Sequence, residues 1–386
     1  MKPWPKVALG ELLRRADEAA VLDLAAEYHE VTIKLWGKGV VSRGKLRGSD
    51  VVSVRRVVRT NQLIMSKIDA RNGAIGLVPP ELDGAIVSND FPSFEFRDPE
   101  RCDAAFMGWL VRSAPFVELC KAASEGTTNR VRIKEDRFLD QQIALPPLSE
   151  QQAVVARLDA LAEKTRMVEA HLDAVERDAE HLLALRFRDV IADVPLRPLA
   201  EVAPLVRREV SIDPERSYTE LGVRSFYKGT FHRRTVPGSD FSWQDLYQVK
   251  TGDLVFSNIM AWEKAIAIAA TEDDGCVGNH RMLTCEARTD TAVPGFLWFY
   301  FTTEEGFAKI YAASPGTAAR NRTMTAPALM AIEVPVPALA AQQTFDRLQA
   351  DVATLKARHA IIRQANAALI PATLERIFST EVPAHA

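Results

Sequence analysis

The sequence predicts an α+β fold in which two duplicated α/β modules are separated by an antiparallel coiled coil of two long helices, with pseudo-two-fold symmetry. Three observations predict it. The chain repeats itself at a shift of about 190 positions, far beyond the period of a solenoid or propeller. Each copy opens with short segments rich in Val, Ile and aromatic residues, punctuated by glycines, which read as strands and turns. Each copy closes with about 40 residues of heptad spacing, which read as a coiled-coil helix.

The repeat is extensive. Tyr28, Lys38-Gly39, Arg43 and Gly48-Ser49-Asp50 recur as Tyr218, Lys228-Gly229, Arg233 and Gly238-Ser239-Asp240. Ser66 and Ile68 match Ser257 and Ile259, and Gly126-Thr127 with Arg130 match Gly316-Thr317 with Arg320. Gln151-Gln152 and Arg157-Leu158 match Gln342-Gln343 and Arg347-Leu348. A chain of 386 residues with 47% hydrophobic residues can bury two ordinary cores. The boundaries that follow are a module at 1–148, a long helix at 149–194, a second module at 195–338 and a second helix at 339–386.

Within the first module, strands are predicted over 31–35, 62–68 and 94–96, with turns at Gly37, Gly39, Gly73 and Gly84. Their counterparts are 220–223, 253–259 and 281–285. A helical stretch follows in each copy, at 103–123 and 295–313, with apolar residues such as Phe106, Leu110 and Phe116 at helical spacing. After a Gly-Thr loop, Leu145-Pro146-Pro147-Leu148 and Val334-Pro335-Val336-Pro337 form an extended, proline-stiffened stop.

The long helix then starts with Ser149 at the N-cap position and Gln152 three residues on, the spacing of a capping box. Val154, Leu158, Leu161, Thr165, Val168, Leu172, Val175, Ala179 and Leu182 alternate steps of four and three and define its seam. In the second copy Phe345, Leu348, Val352, Leu355, His359, Ile362, Asn366 and Leu369 do the same. At 1.5 Å per residue each helix is a rod of about 60 Å. Thr165, His359 and Asn366 are polar seam positions that fix register at a cost in stability. Asp193 to Pro198 breaks the first rod, so an antiparallel pairing places a module at each end: a ruler for two half-sites on a duplex whose turn is about 34 to 36 Å.

Charge is informative in its distribution. The net charge is −3, yet Lys34, Lys38, Arg43, Lys45, Arg47, Arg55, Arg56, Arg59, Lys67 and Arg71 face only Asp50 and Asp69 within their own stretch. The second copy carries Arg224, Lys228, Arg233, Arg234, Lys264 and Arg281 with a comparable number of acids. Cys102, Cys120, Cys276 and Cys285 have no Cys-x-x-Cys spacing and read as buried thiols rather than metal ligands. No signal peptide or membrane span is recognisable, so the expected location is the cytoplasm. The P-loop-like run Gly39 to Leu46 fails at Leu46, where a hydroxyl should meet magnesium, and no dinucleotide or nucleophile motif is found.

The phrase Gly126-Thr127-Thr128-Asn129-Arg130, with Ile143-Ala144-Leu145-Pro146-Pro147-Leu148-Ser149-Glu150-Gln151-Gln152, resembles the junction between a target-recognition domain and a conserved helix in the specificity subunits of type I restriction-modification systems. Gly316-Thr317 and Val334 through Gln343 resemble the same junction, with Ala341 where the first copy has Glu150. The resemblance covers essentially the whole chain. It implies a non-catalytic DNA-binding subunit for phage defence, each recognition domain reading half of a bipartite target through the major groove. It also implies that the helices set the gap and dock two methyltransferase subunits, which motor-nuclease subunits join. No cofactor is then expected in this chain; S-adenosylmethionine, ATP and magnesium belong to the partners.

Side chains suited to base edges or phosphates, on predicted turns, are Lys38, Arg43, Lys45, Arg47, Lys67, Arg71 and Asn89 in the first module. In the second they are Lys228, Arg233, Arg234, Asn258, Trp262, Lys264, Asn279, His280 and Arg281. Arg130 and Arg320 either hold phosphate or pin their loop to the adjacent rod. Other classes stay open: a coiled-coil adaptor with duplicated protein-binding ends, a single-chain restriction or methylation enzyme, and the specificity subunit of a related methylation-based defence system.

Overall fold

The computed structural model of the chain describes residues 4–126, 131–241, 245–316 and 322–379. The chain divides into two compact units, one formed by 1–172 with 360–386 and the other by 173–359. Each unit therefore holds one α/β module and about half of each long helix. Among the described residues no helix is long and apolar enough to cross a membrane.

In the first unit Leu13–Ala16, Ser93–Phe96, Leu63–Met65 and Ile75–Leu77 form one antiparallel sheet. Val40–Arg47, Glu27–Ile33, Ile86–Val87 and Arg56–Val57 form a second, in which Glu27–Ile33 runs parallel to Ile86–Val87. Val31, Ile33, Val40, Ile64 and Val87 fill a small core in this part of the module. The larger core, with Leu13, Leu63, Phe94, Phe106 and Phe138, lies under the helices. Lys6–Ala8 pairs with Gln142–Ala144, so the module's first strand is tied to the strand that precedes the long helix.

The second unit repeats this order. Ile266–Ile268, Leu254–Ser257 and Met282–Cys285 form one sheet, and Thr230–Pro237, Ser217–Val223, Val277–Gly278 and Tyr247–Gln248 the other. Leu196–Pro198 pairs with Glu333–Pro335 as its closing ribbon.

Local chemistry explains where the elements stop. The expected single helix at 103–123 is two, Ala104–Leu110 and Ala114–Ala122, because the Ser113 hydroxyl caps the second by accepting from Phe116 N and Pro115 occupies its first turn. Thr303 does the same between Pro294–Thr302 and Glu304–Ala312, accepting from Gly306 N. Only glycine fits at Gly306, where a Cβ would sit 2.1 Å from the Tyr300 carbonyl oxygen.

The long helices span Leu148–Ile191 and Leu339–Phe378. Their start differs from expectation: Ser149 already lies inside the helix and is exposed, and Gln151 rather than a capping box fixes the junction. Gln151 is fully buried; its Nε2 donates to the carbonyls of Pro146 (2.8 Å) and Arg101 (3.0 Å), and its Oε1 accepts from Asp103 N (2.9 Å). Gln342 repeats the clasp in the second unit, donating to Pro337 (2.8 Å) and Thr291 (3.0 Å) and accepting from Val293 N (3.0 Å).

Within each unit the two helices run antiparallel. In the first, Asn366 Nδ2 donates to the Thr165 carbonyl (3.0 Å) and Glu169 Oε1 (2.7 Å), and Arg363 pairs with Glu169. In the second, His359 Nδ1 meets Glu176 at 2.9 Å and Lys356 meets Glu180 at 2.6 Å. Leu158, Leu172 and Val352 are buried, and Val154, Leu161, Val175, Leu348 and Leu355 are half-buried. Val168, Leu182, Ile362 and Leu369 correct the predicted seam: all are exposed, Ile362 at 44% and Leu369 at 46%. Past Ala179 the inward positions advance by fours to Leu183 and Phe187, and past Asn366 to Ile370, Leu374 and Phe378. Each step of four overshoots a turn by about 40°, which carries the apolar stripe off a strict heptad. Replacing Ile362 and Leu369 together by alanine is accordingly expected to move stability by no more than about 0.5 kcal/mol per site, read by thermal melting.

Candidate nucleic-acid interface

Each module carries a long hairpin whose outer strand is mostly exposed. In the first it pairs Glu27–Ile33 with Val40–Arg47, and the register slips between Glu30 and Val31 so that Arg43 is the extra residue of a β-bulge. Ser42 Oγ fixes that bulge, lying 2.9 Å from His29 Nδ1 and accepting from Gly44 N. In the second module Ser217–Val223 pairs with Thr230–Pro237, and the slip between Glu220 and Leu221 makes Arg233 the extra residue. A bulge re-aims the side chain it carries. Both arginines are exposed, and among the described residues neither has an ion-pair partner.

Lys38 and Lys228 are also exposed, on the turns that join the hairpin strands. Lys45 and Arg47 lie further along the outer strand; Lys45 has one loose contact with Glu27 at 3.8 Å. Exposed pairs of this kind contribute little and give way readily to a phosphate.

Much of the basic stretch from Lys34 to Arg71 is neutralised by acids distant in sequence. Arg55 pairs with Glu30, Arg56 with Asp17, Arg59 with Glu18 and Lys67 with Glu135. Arg59 holds the Glu18 carboxyl below its usual range. The stretch is therefore less basic in the fold than along the sequence: among the described residues Lys34, Lys38, Arg43, Arg47 and Arg71 stand without ion pairs, with Arg71 half-buried on the turn Ala70–Asn72.

Five predicted DNA contacts make structural contacts within their module. Lys67 is tied at 2.8 Å to the half-buried Glu135. Arg234 donates at 2.6 Å to the buried Glu220, which holds its guanidinium more firmly protonated, and covers the Phe241 ring. Lys264, in a left-handed backbone conformation, packs its ammonium over Phe307 and Tyr227. Trp262 is half-buried and donates its indole N–H to the Ile259 carbonyl. Asn89 is exposed and accepts from Arg56. Arg130 and Arg320 lie outside the described residues.

Arg233, Asn279 and Arg281 come together around a concavity of about 350 Å³, with Ser257 and Ile259 on its wall. Asn279 Oδ1 accepts from Arg281 N at 2.9 Å, which orders the loop and leaves the amide nitrogen available as a donor. His280 is exposed beside them, and Asn258 carries a buried Oδ1 without a hydrogen-bond partner among the described residues.

The duplicated backbone shows which positions correspond. Lys67 N donates to the Asp90 carbonyl, and Asn258 N donates to the Arg281 carbonyl, each at 2.8 Å. Lys67 thus answers to Asn258, and Asp90, paired with Arg132, answers to Arg281. The bulge arginines and turn lysines are kept in both modules while the loop residues beside them change. That retention is the sequence signal that separates Arg43 and Arg233 from the neutralised arginines.

The cluster of Cys276, His232 and Asp273 lacks a relay. Cys276 Sγ, at 3.7 Å, and Asp273 Oδ1, at 3.1 Å, both face the same Nε2 of His232, so the imidazole cannot pass a proton between them. Burial raises the Cys276 thiol further.

No protein-family model and no curated protein matches the chain. Solved structures do. The HsdS subunit from Thermoanaerobacter tengcongensis is 22% identical, covers 99% of this chain and 98% of its own, and superposes with a TM-score of 0.62. A chain from a structure on complex assembly and conformational transition of the type I R-M system is 23% identical over 99% of both chains, with a TM-score of 0.68. The chain therefore has the fold of the S subunits of type I restriction-modification systems.

Proposed function

We propose that this chain is the non-catalytic DNA-specificity subunit of a type I restriction-modification complex, reading a gapped, two-part duplex target with one module per half. The retained cations at the bulge and the turn, set beside loop residues that differ between modules, carry this reading. Cations common to both modules suit phosphates, which every duplex offers in the same way, whereas Asn279 and Arg281 suit base edges. The long helices set the gap and dock methyltransferase subunits, which motor-nuclease subunits join. Met167 and Ile361, exposed at 60% and 68% on the helices of the first unit, support a docking role. S-adenosylmethionine, ATP and magnesium would be bound by those partners.

Selection from a randomised duplex pool by the full chain with its methyltransferase subunit is expected to return a motif of two short blocks and a fixed gap. Arg281→Ala, at a base-edge position of the second module, should relax only one block. Arg43→Ala and Arg233→Ala should each lower the slope of log affinity against log salt by about 0.9, one phosphate's worth. A shallow salt dependence with no selected sequence would favour the adaptor.

A further inference from the structure

The tips of the two hairpins carry a feature that the reading above leaves unused. Trp36 is 68% exposed and Phe226 is 60% exposed, and each adopts a left-handed backbone conformation, with φ of 60° and 62°. Left-handed geometry is unfavourable for a bulky L-residue of this kind. An aromatic ring left in water forgoes its burial as well.

The two tips are held in the same way. Trp36 N donates to the Asn72 carbonyl (2.9 Å) and Gly37 N to the Gly73 carbonyl (3.0 Å). Phe226 N donates to the Glu263 carbonyl (3.0 Å) and Tyr227 N to the Lys264 carbonyl (2.9 Å). A Cβ on Gly73 would come within 3.1 Å of the Trp36 backbone, so the tip sits close against that turn. The neighbouring loop thus clamps the tip backbone while the ring remains outside.

Each aromatic residue also has an exposed cation two positions away on either side in sequence, Lys34 and Lys38 in the first module and Arg224 and Lys228 in the second, with Arg224 resting over the Phe231 ring of the same hairpin. The Lys228 ammonium lies 5.9 Å from the Phe226 ring centre. Strain and exposure at one position could be incidental, but both recur in the duplicate although the residue itself has changed from Trp to Phe. What recurs is an exposed aromatic residue on a clamped tip, with a cation two positions away on either side. That pattern complements a base flanked by phosphates better than a protein surface, which would not call for paired cations.

We propose that Trp36 and Phe226 are DNA-contacting wedges: each ring stacks on a base at a partly unstacked step, while the flanking cations hold the phosphates on either side. This rests on the specificity-subunit reading and adds one contact of deformability readout per module. Flexible pyrimidine–purine steps are the cheapest to open, so each wedge favours such a step within its own half-site.

The test uses the full chain with its methyltransferase subunit, and duplexes bearing the selected sequence with 2-aminopurine substituted at successive positions of each half. For the wild type, fluorescence should rise on binding at one step per half-site, reporting loss of stacking. Trp36→Ala should abolish the rise in the first half only, and Phe226→Ala in the second only. Each should weaken binding about ten-fold without changing the salt slope, because a ring releases no counterions. Trp36→Phe should restore most of both signals. If the wild type selects a gapped sequence but the alanine variants bind it equally well, or no position brightens, the wedge is wrong and the specificity reading stands. If no sequence is selected, the specificity reading fails. If the variants lose the methyltransferase subunit while keeping DNA affinity, the tips are protein contacts and the proposal is overturned.

Discussion

Gln342→Ala is expected to destabilise the second unit by about 3 kcal/mol or more, a large share of what holds a domain of this size together. The carboxamide is fully buried and satisfies three backbone groups at once: the carbonyls of Pro337 and Thr291 and the amide of Val293. Truncation leaves all three without partners, and each buried orphan costs about 1–3 kcal/mol. Gln342→Glu keeps the shape and the Val293 bond but replaces the donor with an acceptor oxygen facing two carbonyl oxygens. Its cost should exceed that of alanine at neutral pH. It should shrink as the pH falls, because a protonated carboxyl regains one donor. Urea midpoints at pH 7 and pH 5 read both effects. Gln343→Ala, one residue on and exposed, is the neutral control. Gln151→Ala should act equally on the first unit, and the two losses should add because the clasps share no partner. A loss under about 1 kcal/mol in either unit would mean that the junction is held by the ribbon pairing alone.

The clasp shows what was legible in the sequence. The doubled glutamines were visible as a repeated phrase, and the repeat fixed the duplication, the order of elements and the two long helices. Their physical role was not visible, because the partners of Gln151 lie at Arg101 and Asp103, far away in sequence, and only the folded chain brings those carbonyl and amide groups to it. The expected capping box at Ser149 used the local pattern that was available and missed the tertiary one. The same limit explains the outer hairpin strands. Val40–Arg47 and Thr230–Pro237 expose most of their side chains, so they show little of the apolar alternation by which a strand is recognised. A run of cations was equally misleading where its acids came from elsewhere, as with Glu18 and Glu135. Comparing the two copies position by position repairs part of this. Arg43 and Arg233 persist, whereas Lys67, held by Glu135, becomes Asn258.

Phe187→Ala is expected to cost about 3–5 kcal/mol, the usual range for emptying a buried phenylalanine site. The ring is 2% exposed and meets Phe296 at 5.0 Å, Phe299 at 4.8 Å and Phe345 at 5.1 Å. It therefore ties the end of the first long helix to the start of the second and to the helix Pro294–Thr302 of the second module. Phe378 is its counterpart in the first unit, with Phe106 at 5.6 Å and Trp4 at 6.4 Å. Phe378→Ala should cost less, because it meets fewer rings and the turn that carries it can fray. The two effects differ in kind from surface losses on the same helices: Leu182→Ala, at an exposed position, should be near neutral although the heptad places it on the seam. Hydrogen exchange should show protection lost first between Leu183 and Ile191 in Phe187→Ala, before the rest of the helix opens. Phe187→Leu should recover part of the loss by refilling the volume without the ring contacts. If Phe187→Ala melts within a degree or two of the wild type, the helix end is held by its polar pairs at Glu176 and Glu180 instead, and the aromatic cluster is packing without leverage on the helix.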